Sequence, residues 1–229
     1  MKYKGYIFDL DGVLIDSSVI HFNGWKRVLN RLGADLDYET FRKEHFGKRG
    51  IETLERIFGK GKFDGGEVKQ LSDEVDSNFV TTVAASGVPI SGGLQFVRAL
   101  KESGAKTALA TSAPRQNVDA FLDAFHMRGV FDAEVCGDDV TRGKPDPEVF
   151  LKAASGIGES PEECVVFEDS LPGVTAAKAA GTVCVALLTT TTREALSIAD
   201  YFIKDFTDET LIRIIRPDGS LGAKARKKT

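Results

Sequence analysis

Tyr6-Ile7-Phe8-Asp9-Leu10-Asp11-Gly12-Val13-Leu14-Ile15-Asp16-Ser17 runs from an apolar segment into two aspartates two residues apart and then a glycine. The apolar segment predicts a buried β-strand. In an open α/β sheet, ligands bind beyond the carboxyl ends of the strands. Asp9 is therefore expected at the last strand position and Asp11 in the turn. Two carboxylates this close repel unless a proton or a cation lies between them. A hard cation with oxygen ligands, Mg²⁺, suits such a pair. A carboxylate is also a competent covalent nucleophile toward a phosphoryl group. An ordinary strand-to-turn junction carries the same residue types. A calcium loop does not fit, because counting from Asp9 its twelfth position, which requires Glu, is Ile20.

The 229-residue chain is long enough for a sizeable core, and its 42% hydrophobic and 28% charged content is that of an ordinary globule. A net charge of −4 gives no reason to expect nucleic acid as a partner. Cys136, Cys164 and Cys184 are far apart and sit in or beside apolar runs, which points to free thiols in a reducing, cytoplasmic setting. No signal peptide or apolar run of membrane-spanning length is evident, so a membrane partner is not expected.

After Ile15 the periodicity changes. Phe22, Trp25, Val28, Leu29 and Leu32 form a helical stripe that Asp16, Ser17 or Ser18 can cap and Gly33 can end. Further helical patterns lie near Tyr38–His45, Ile51–Phe58 and Glu67–Ala84. Residues 17–86 are therefore expected to be an all-α insert in an α/β core made of 1–16 and 87–229. From Gly92 onward helices alternate with strands. Strands are expected at Lys106–Ala110, Ala133–Cys136, Glu163–Phe167 and Val183–Leu187, with an edge strand at Tyr201–Ile203. Helices are expected at Leu94–Ser103, Pro114–Phe125, Pro147–Ser155, Gly173–Ala180 and Asp208–Ile215. That alternation predicts a doubly wound parallel sheet. The basic end of the chain, 217–229, reads as a flexible tail.

Three later strand ends add polar groups. The apolar run Thr107–Ala110 ends in Thr111 and Ser112, hydroxyls suited to phosphate or equally to a helix cap. Lys144 is held between Gly143 and Pro145 and offers a point charge to phosphate. Cys164–Phe167 ends in the acids Glu168 and Asp169.

Taken in order, these four strand ends resemble the four motifs of the haloacid dehalogenase superfamily, a Rossmann-like α/β fold. The nearest resemblance is to the branch of β-phosphoglucomutases and small-metabolite phosphatases with a helical cap. The resemblance implies that Asp9 is the nucleophile, forming an aspartyl-phosphate, and Asp11 the general acid and base. Thr111, Ser112 and Lys144 would hold the phosphoryl group. Glu168 and Asp169, with the Asp9 carboxylate and the Asp11 carbonyl, would hold Mg²⁺. Dehalogenases resemble Asp-x-Tyr or Asp-x-Phe at the first motif, so Asp11 argues against carbon–halogen hydrolysis.

In the insert, His21, Phe22 and Trp25 match the mutase pattern His-Phe-x-x-Trp, and Phe46-Gly47-Lys48-Arg49-Gly50 resembles the cap substrate loop. His21, Trp25, Gly47, Lys48 and Arg49 are thus the candidate substrate residues, although Trp25 fits core packing as well. Gly50 stands where the mutases carry Arg, and Ala113-Pro114-Arg115 stands where they carry Ser-Lys-Asn. Unless Arg49 and Arg115 replace them, the grip on a second phosphate is lost. The expected function is Mg²⁺-dependent hydrolysis of a small phosphorylated metabolite, a sugar phosphate, by a monomer. A phosphosugar mutase and a non-catalytic binding module are the alternatives.

Overall fold

The computed structural model describes residues 2–215. The basic tail, 217–229, lies outside the described residues. Strand β1, Gly5–Phe8, is fully buried and central, because its four residues are apolar or lack a side chain. It pairs in parallel with β4, Lys106–Ala110, on one side and β6, Cys164–Glu168, on the other. With β5 (Ala133–Val135), β7 (Val183–Leu187) and β8 (Tyr201–Ile203) these form a six-stranded parallel sheet in the order β5-β4-β1-β6-β7-β8. The doubly wound α/β fold expected from the sequence is present.

Side chains alternate between the two faces, as pleating requires. Tyr6, Phe8, Val165 and Phe167 enter one core, and Ile7, Cys164 and Val166 enter the other. The Phe8 and Phe167 rings stack at 4.8 Å in the first core, with Phe96 and Phe206 around them. Helices α5 (Gly93–Glu102), α6 (Arg115–Ala124), α7 (Glu148–Gly156), α8 (Leu171–Ala179) and α9 (Glu209–Ile215) cover the sheet.

Between Ser18 and Ser86 stand α1 (Ser18–Arg31), α2 (Tyr38–Glu44), α3 (Gly50–Phe58) and α4 (Gly65–Ser86). They have an apolar core of their own, which includes Trp25, Leu29, Phe41, Leu54 and Leu71. Asp64 and Glu67 form a reciprocal capping box that starts α4 two residues before the helix expected from the sequence. Gly33 follows α1 with φ near +79°, as a helix-ending glycine should.

Three local expectations need correction. Ile15–Asp16 (β2) and Val88–Pro89 (β3) pair antiparallel into a small ribbon where the chain leaves and re-enters the α/β core. Two-residue strands, one containing Pro, give no periodicity to detect. β1 ends at Phe8, so Asp9 is the first residue beyond it, although its N–H still donates to the Phe167 carbonyl at 3.0 Å. β6 is displaced by one residue, so Glu168 rather than Phe167 is its last.

Candidate active site

Asp9, Thr111 and Glu168 end or follow the adjacent strands β1, β4 and β6, so the parallel sheet delivers all three to one edge. Lys144 comes to them from the loop between β5 and α7. Its ammonium donates at 2.7 Å to Asp9 Oδ1 and at 2.7 Å to Glu168 Oε1, and it lies 4.9 Å from the Phe150 ring. The Lys144 side chain is only 6% exposed. Burial alone would lower its pKa, but the two carboxylates hold it above the ordinary lysine value.

Glu168 is engaged at both oxygens. Oε2 accepts from the backbone N–H groups of Asp169 (2.7 Å) and Ser170 (2.8 Å) and from the Ser170 hydroxyl (3.0 Å). This arrangement makes Glu168 the holder of Lys144. Asp169 packs against Gly12 so closely that a Cβ at residue 12 would collide with its carboxylate. Gly12 also has φ near +75°, a second reason for glycine there. Thr111 is buried, and its hydroxyl accepts from the Ala113 N–H at 3.1 Å, while Ser112 is exposed.

Asp11 is one side of a hydrogen-bonded group. It accepts from the Ser17 hydroxyl, and its Oδ1 lies 3.4 Å from His21 Nε2. Burial would raise the Asp11 pKa, but His21 and Ser17 outweigh it and hold the carboxyl below its usual range. The same contact, with Asp76 further away, raises His21 above its ordinary value despite burial. The His21 ring stacks on Phe79 at 5.4 Å and meets Phe46 at 6.1 Å. His21 thus faces Asp11, beyond the carboxyl end of β1.

The other residues expected to meet substrate are placed differently. Trp25 is 6% exposed and packs in the apolar core of the four helices. Gly47 and Lys48 are exposed on the loop that follows Phe46. Arg49 is exposed and pairs with Glu52 at 2.8 Å. Arg115 is committed to Glu134 (3.2 Å) and Asp139 (2.7 Å).

Several contributors were not anticipated. The Thr189 hydroxyl donates to the Gly12 carbonyl at 2.6 Å, and Thr190 donates to the Asp169 carbonyl at 2.9 Å. Both stand just after β7, so the strand-end rule that found Asp9 would have found them too. The Arg42 guanidinium, on α2, donates to the Thr189 carbonyl at 3.1 Å, and Asn117 on α6 donates to Asp76 on α4 at 2.7 Å. These contacts between distant chain segments leave no local signal.

The carboxylates of Asp9, Glu168 and Asp169 each present an oxygen within 4.8 Å of the others, and all three residues are buried. Burial pushes the Asp9 carboxyl up to about 7; Lys144 pulls it back and Glu168 adds to the rise. Asp169 is likewise held well above the usual range by burial, Glu168 and Asp9. Three carboxyl groups crowd a single ammonium here, and the donors are oxygens only. That set fits a hard divalent cation such as Mg²⁺ and not zinc.

A family model described as haloacid dehalogenase-like hydrolase matches residues 3–181. Validoxylamine A 7'-phosphate phosphatase of Streptomyces hygroscopicus subsp. limoneus is 34% identical over 206 residues, covering 90% of this chain and 95% of the relative. The phosphorylated carbohydrates phosphatase of Thermotoga maritima is 32% identical over 182 residues, covering 78% and 82%. Among solved structures, CbbY from Rhodobacter sphaeroides in complex with phosphate superposes with a TM-score of 0.78 at 28% identity, covering 89% of this chain and 95% of that one.

Proposed function

The chain belongs to the haloacid dehalogenase-like hydrolases, and from that membership we propose that it is a phosphomonoesterase that hydrolyses a small sugar phosphate through an aspartyl-phosphate on Asp9. The observation that carries the reading is Lys144, buried and bonded at 2.7 Å to Asp9, on the same sheet edge as Asp11 under His21. The names of the relatives, both phosphatases of phosphorylated small molecules, agree with it.

In the first half-reaction an Asp9 oxygen attacks phosphorus, the ester P–O bond breaks, and the leaving oxygen takes, through Asp11, the proton that the Asp11–His21 pair holds. In the second, Asp11 removes a proton from water, whose oxygen attacks the same phosphorus and frees Asp9 and phosphate. Lys144 offsets charge on the transferring group, the main demand of phosphoryl transfer. Thr111 and Ser112 are assigned to the phosphoryl oxygens. His21 Nε2–H faces Asp11 Oδ1 and sets the orientation of that carboxyl. Mg²⁺, when held by the Asp9 and Asp169 carboxylates and the Asp11 carbonyl, supplies further positive charge against the phosphate. Glu168, expected from the sequence among the metal ligands, is instead assigned to holding Lys144, because Oε1 accepts from Lys144 and Oε2 from the Asp169 and Ser170 N–H groups.

Residues 17–86 act as a cap over the core formed by 1–16 and 87–229. Phe46 at 6.1 Å from His21 supports placing the loop with Gly47, Lys48 and Arg49 at the mouth of the cleft. Hydrolysis is favoured over a mutase by the fate of the second-phosphate grip. A side chain at Gly50 would meet Ser72 and the Trp25 ring. Arg49 and Arg115 are paired with acids. An intermediate held weakly is released to water. Three buried free cysteines suit a reducing cytoplasm, and no helix among the described residues is long and apolar enough to cross a membrane.

The test is a panel of phosphorylated metabolites assayed for phosphate release, with β-glucose 1-phosphate and its bisphosphate assayed for isomerisation. Phosphate release from one class of sugar phosphate is expected. Efficient formation of glucose 6-phosphate with little phosphate would overturn the hydrolytic reading.

A further inference from the structure

A groove of about 310 Å³ runs between α1 and α4, lined by Asn23, Lys26, Arg27, Asn30, Asn78 and Thr82 among others. We propose that it is a second binding site, for a small organic anion bearing phosphate or carboxylate groups. It is separate from the catalytic edge. At about 100° per residue, Asn23, Arg27 and Asn30 stand roughly 180–240° around α1 from His21. On α4, Asn78 and Thr82 stand a similar angle from Asp76, whose side chain meets Asn117 of the core.

The polar groups lining the groove are held in place from within. The Asn78 amide is 6% exposed, donates to the Ile20 carbonyl at 2.9 Å, and accepts from the Arg27 guanidinium. Thr82 donates to the Asn78 carbonyl at 2.6 Å. The charges point to the occupant. No acid lines the groove, and neither Lys26 nor Arg27 has a carboxylate partner among the described residues. Lys26 lies 5.3 Å over the Phe22 ring. One turn on, Arg31 is held by both oxygens of Glu74 at 2.9 and 2.7 Å, and on α4 Lys69 is paired with Asp73. Two neighbouring cations left without acids, beside side-chain amides and hydroxyls, match an anionic, hydroxylated molecule. The volume lies at the lower end of the range of small-molecule pockets. An anion bound there ties α1 to α4 behind His21.

The test is an NMR titration of the full ¹⁵N-labelled chain, without metal, using pyrophosphate and citrate as separate probes. The Arg27 Nε and Asn78 Nδ2 signals should shift and saturate, and the stronger probe tells phosphate from carboxylate. Replacing both cations, Lys26→Gln with Arg27→Gln, should weaken that binding by about tenfold or more, since hydrogen bonds to charged groups are each worth roughly that factor. Asn30→Asp, an exposed helix change that adds an acid to the groove, should weaken it too, and should leave phosphate release without the probe unchanged. Signals that move with neither probe, or move equally in wild type and Asn30→Asp, would overturn the proposal. So would shifts confined to Asp9, Thr111 and Lys144.

Discussion

Replacing Lys144 by Met removes one charge and keeps most of the stem that packs near Phe150. The ammonium lies 2.7 Å from oxygens of both Asp9 and Glu168. At an effective dielectric of about 20, each such contact is worth roughly 6 kcal/mol of gross attraction. Most of that offsets the desolvation of three charges, so the intact group adds little net stability. Removing one member is different, because Asp9 and Glu168 are 6% and 0% exposed and both would lose the ammonium that their carboxyl oxygens contact. The expected loss is about 3–5 kcal/mol for a broken buried pair. Urea denaturation of the metal-free protein measures it. Mg²⁺ should restore part of the stability, through Asp9 and Asp169, but not the share owed to Glu168. Turnover of an aryl phosphate with Mg²⁺ present should fall by about 10²–10³-fold, the usual effect of losing one preorganised charge contact. A stability loss below about 1 kcal/mol, with turnover retained, would refute the argument that Lys144 is the buried counter-charge.

Gly12→Ala should destabilise by about 1–2 kcal/mol through its left-handed backbone, and should lower activity more than that implies because the new Cβ displaces Asp169; unchanged kinetics would contradict the packing described. Folded Asp9 holds its proton up to about pH 7, against 3.8 for an ordinary aspartate carboxyl, so the folded state binds more protons across that window. Metal-free wild type should therefore lose stability relative to Asp9→Asn as pH rises from about 4 to 7 and level off above, and urea midpoints that rise instead would reverse the sign. Thr189→Val should cost about 1 kcal/mol and lower kcat more than KM, since the hydroxyl holds the Gly12 carbonyl rather than substrate; a pure KM effect would place Thr189 against the substrate instead.

The catalytic edge was legible because its residues follow apolar runs, and in a parallel sheet every such end meets the same edge. Asp9, Thr111, Glu168 and Asp169 were singled out that way, Lys144 by its place between Gly143 and Pro145, and His21 by standing off the stripe of its helix. What the sequence could not show is pairing across distance. Ser17 looks like a helix cap, yet its hydroxyl turns to Asp11 while Asp16 caps Ser18. Arg42 and Thr189 are 147 residues apart, and Asp76 and Asn117 sit on helices with no mutual pattern. Trp25 shows the converse. A motif match suggested substrate, but an aromatic on an apolar stripe packs where the stripe packs.

In the proposed mechanism Asp9 carries the phosphoryl group between two transfers. Acid quenching during turnover, followed by borohydride, reduces an aspartyl-phosphate to homoserine with release of phosphate. Peptide mass spectrometry should then find homoserine at position 9 in the wild type and none in Asp9→Asn. Homoserine at position 11, or unmodified Asp9 throughout rapid phosphate release, would contradict the account.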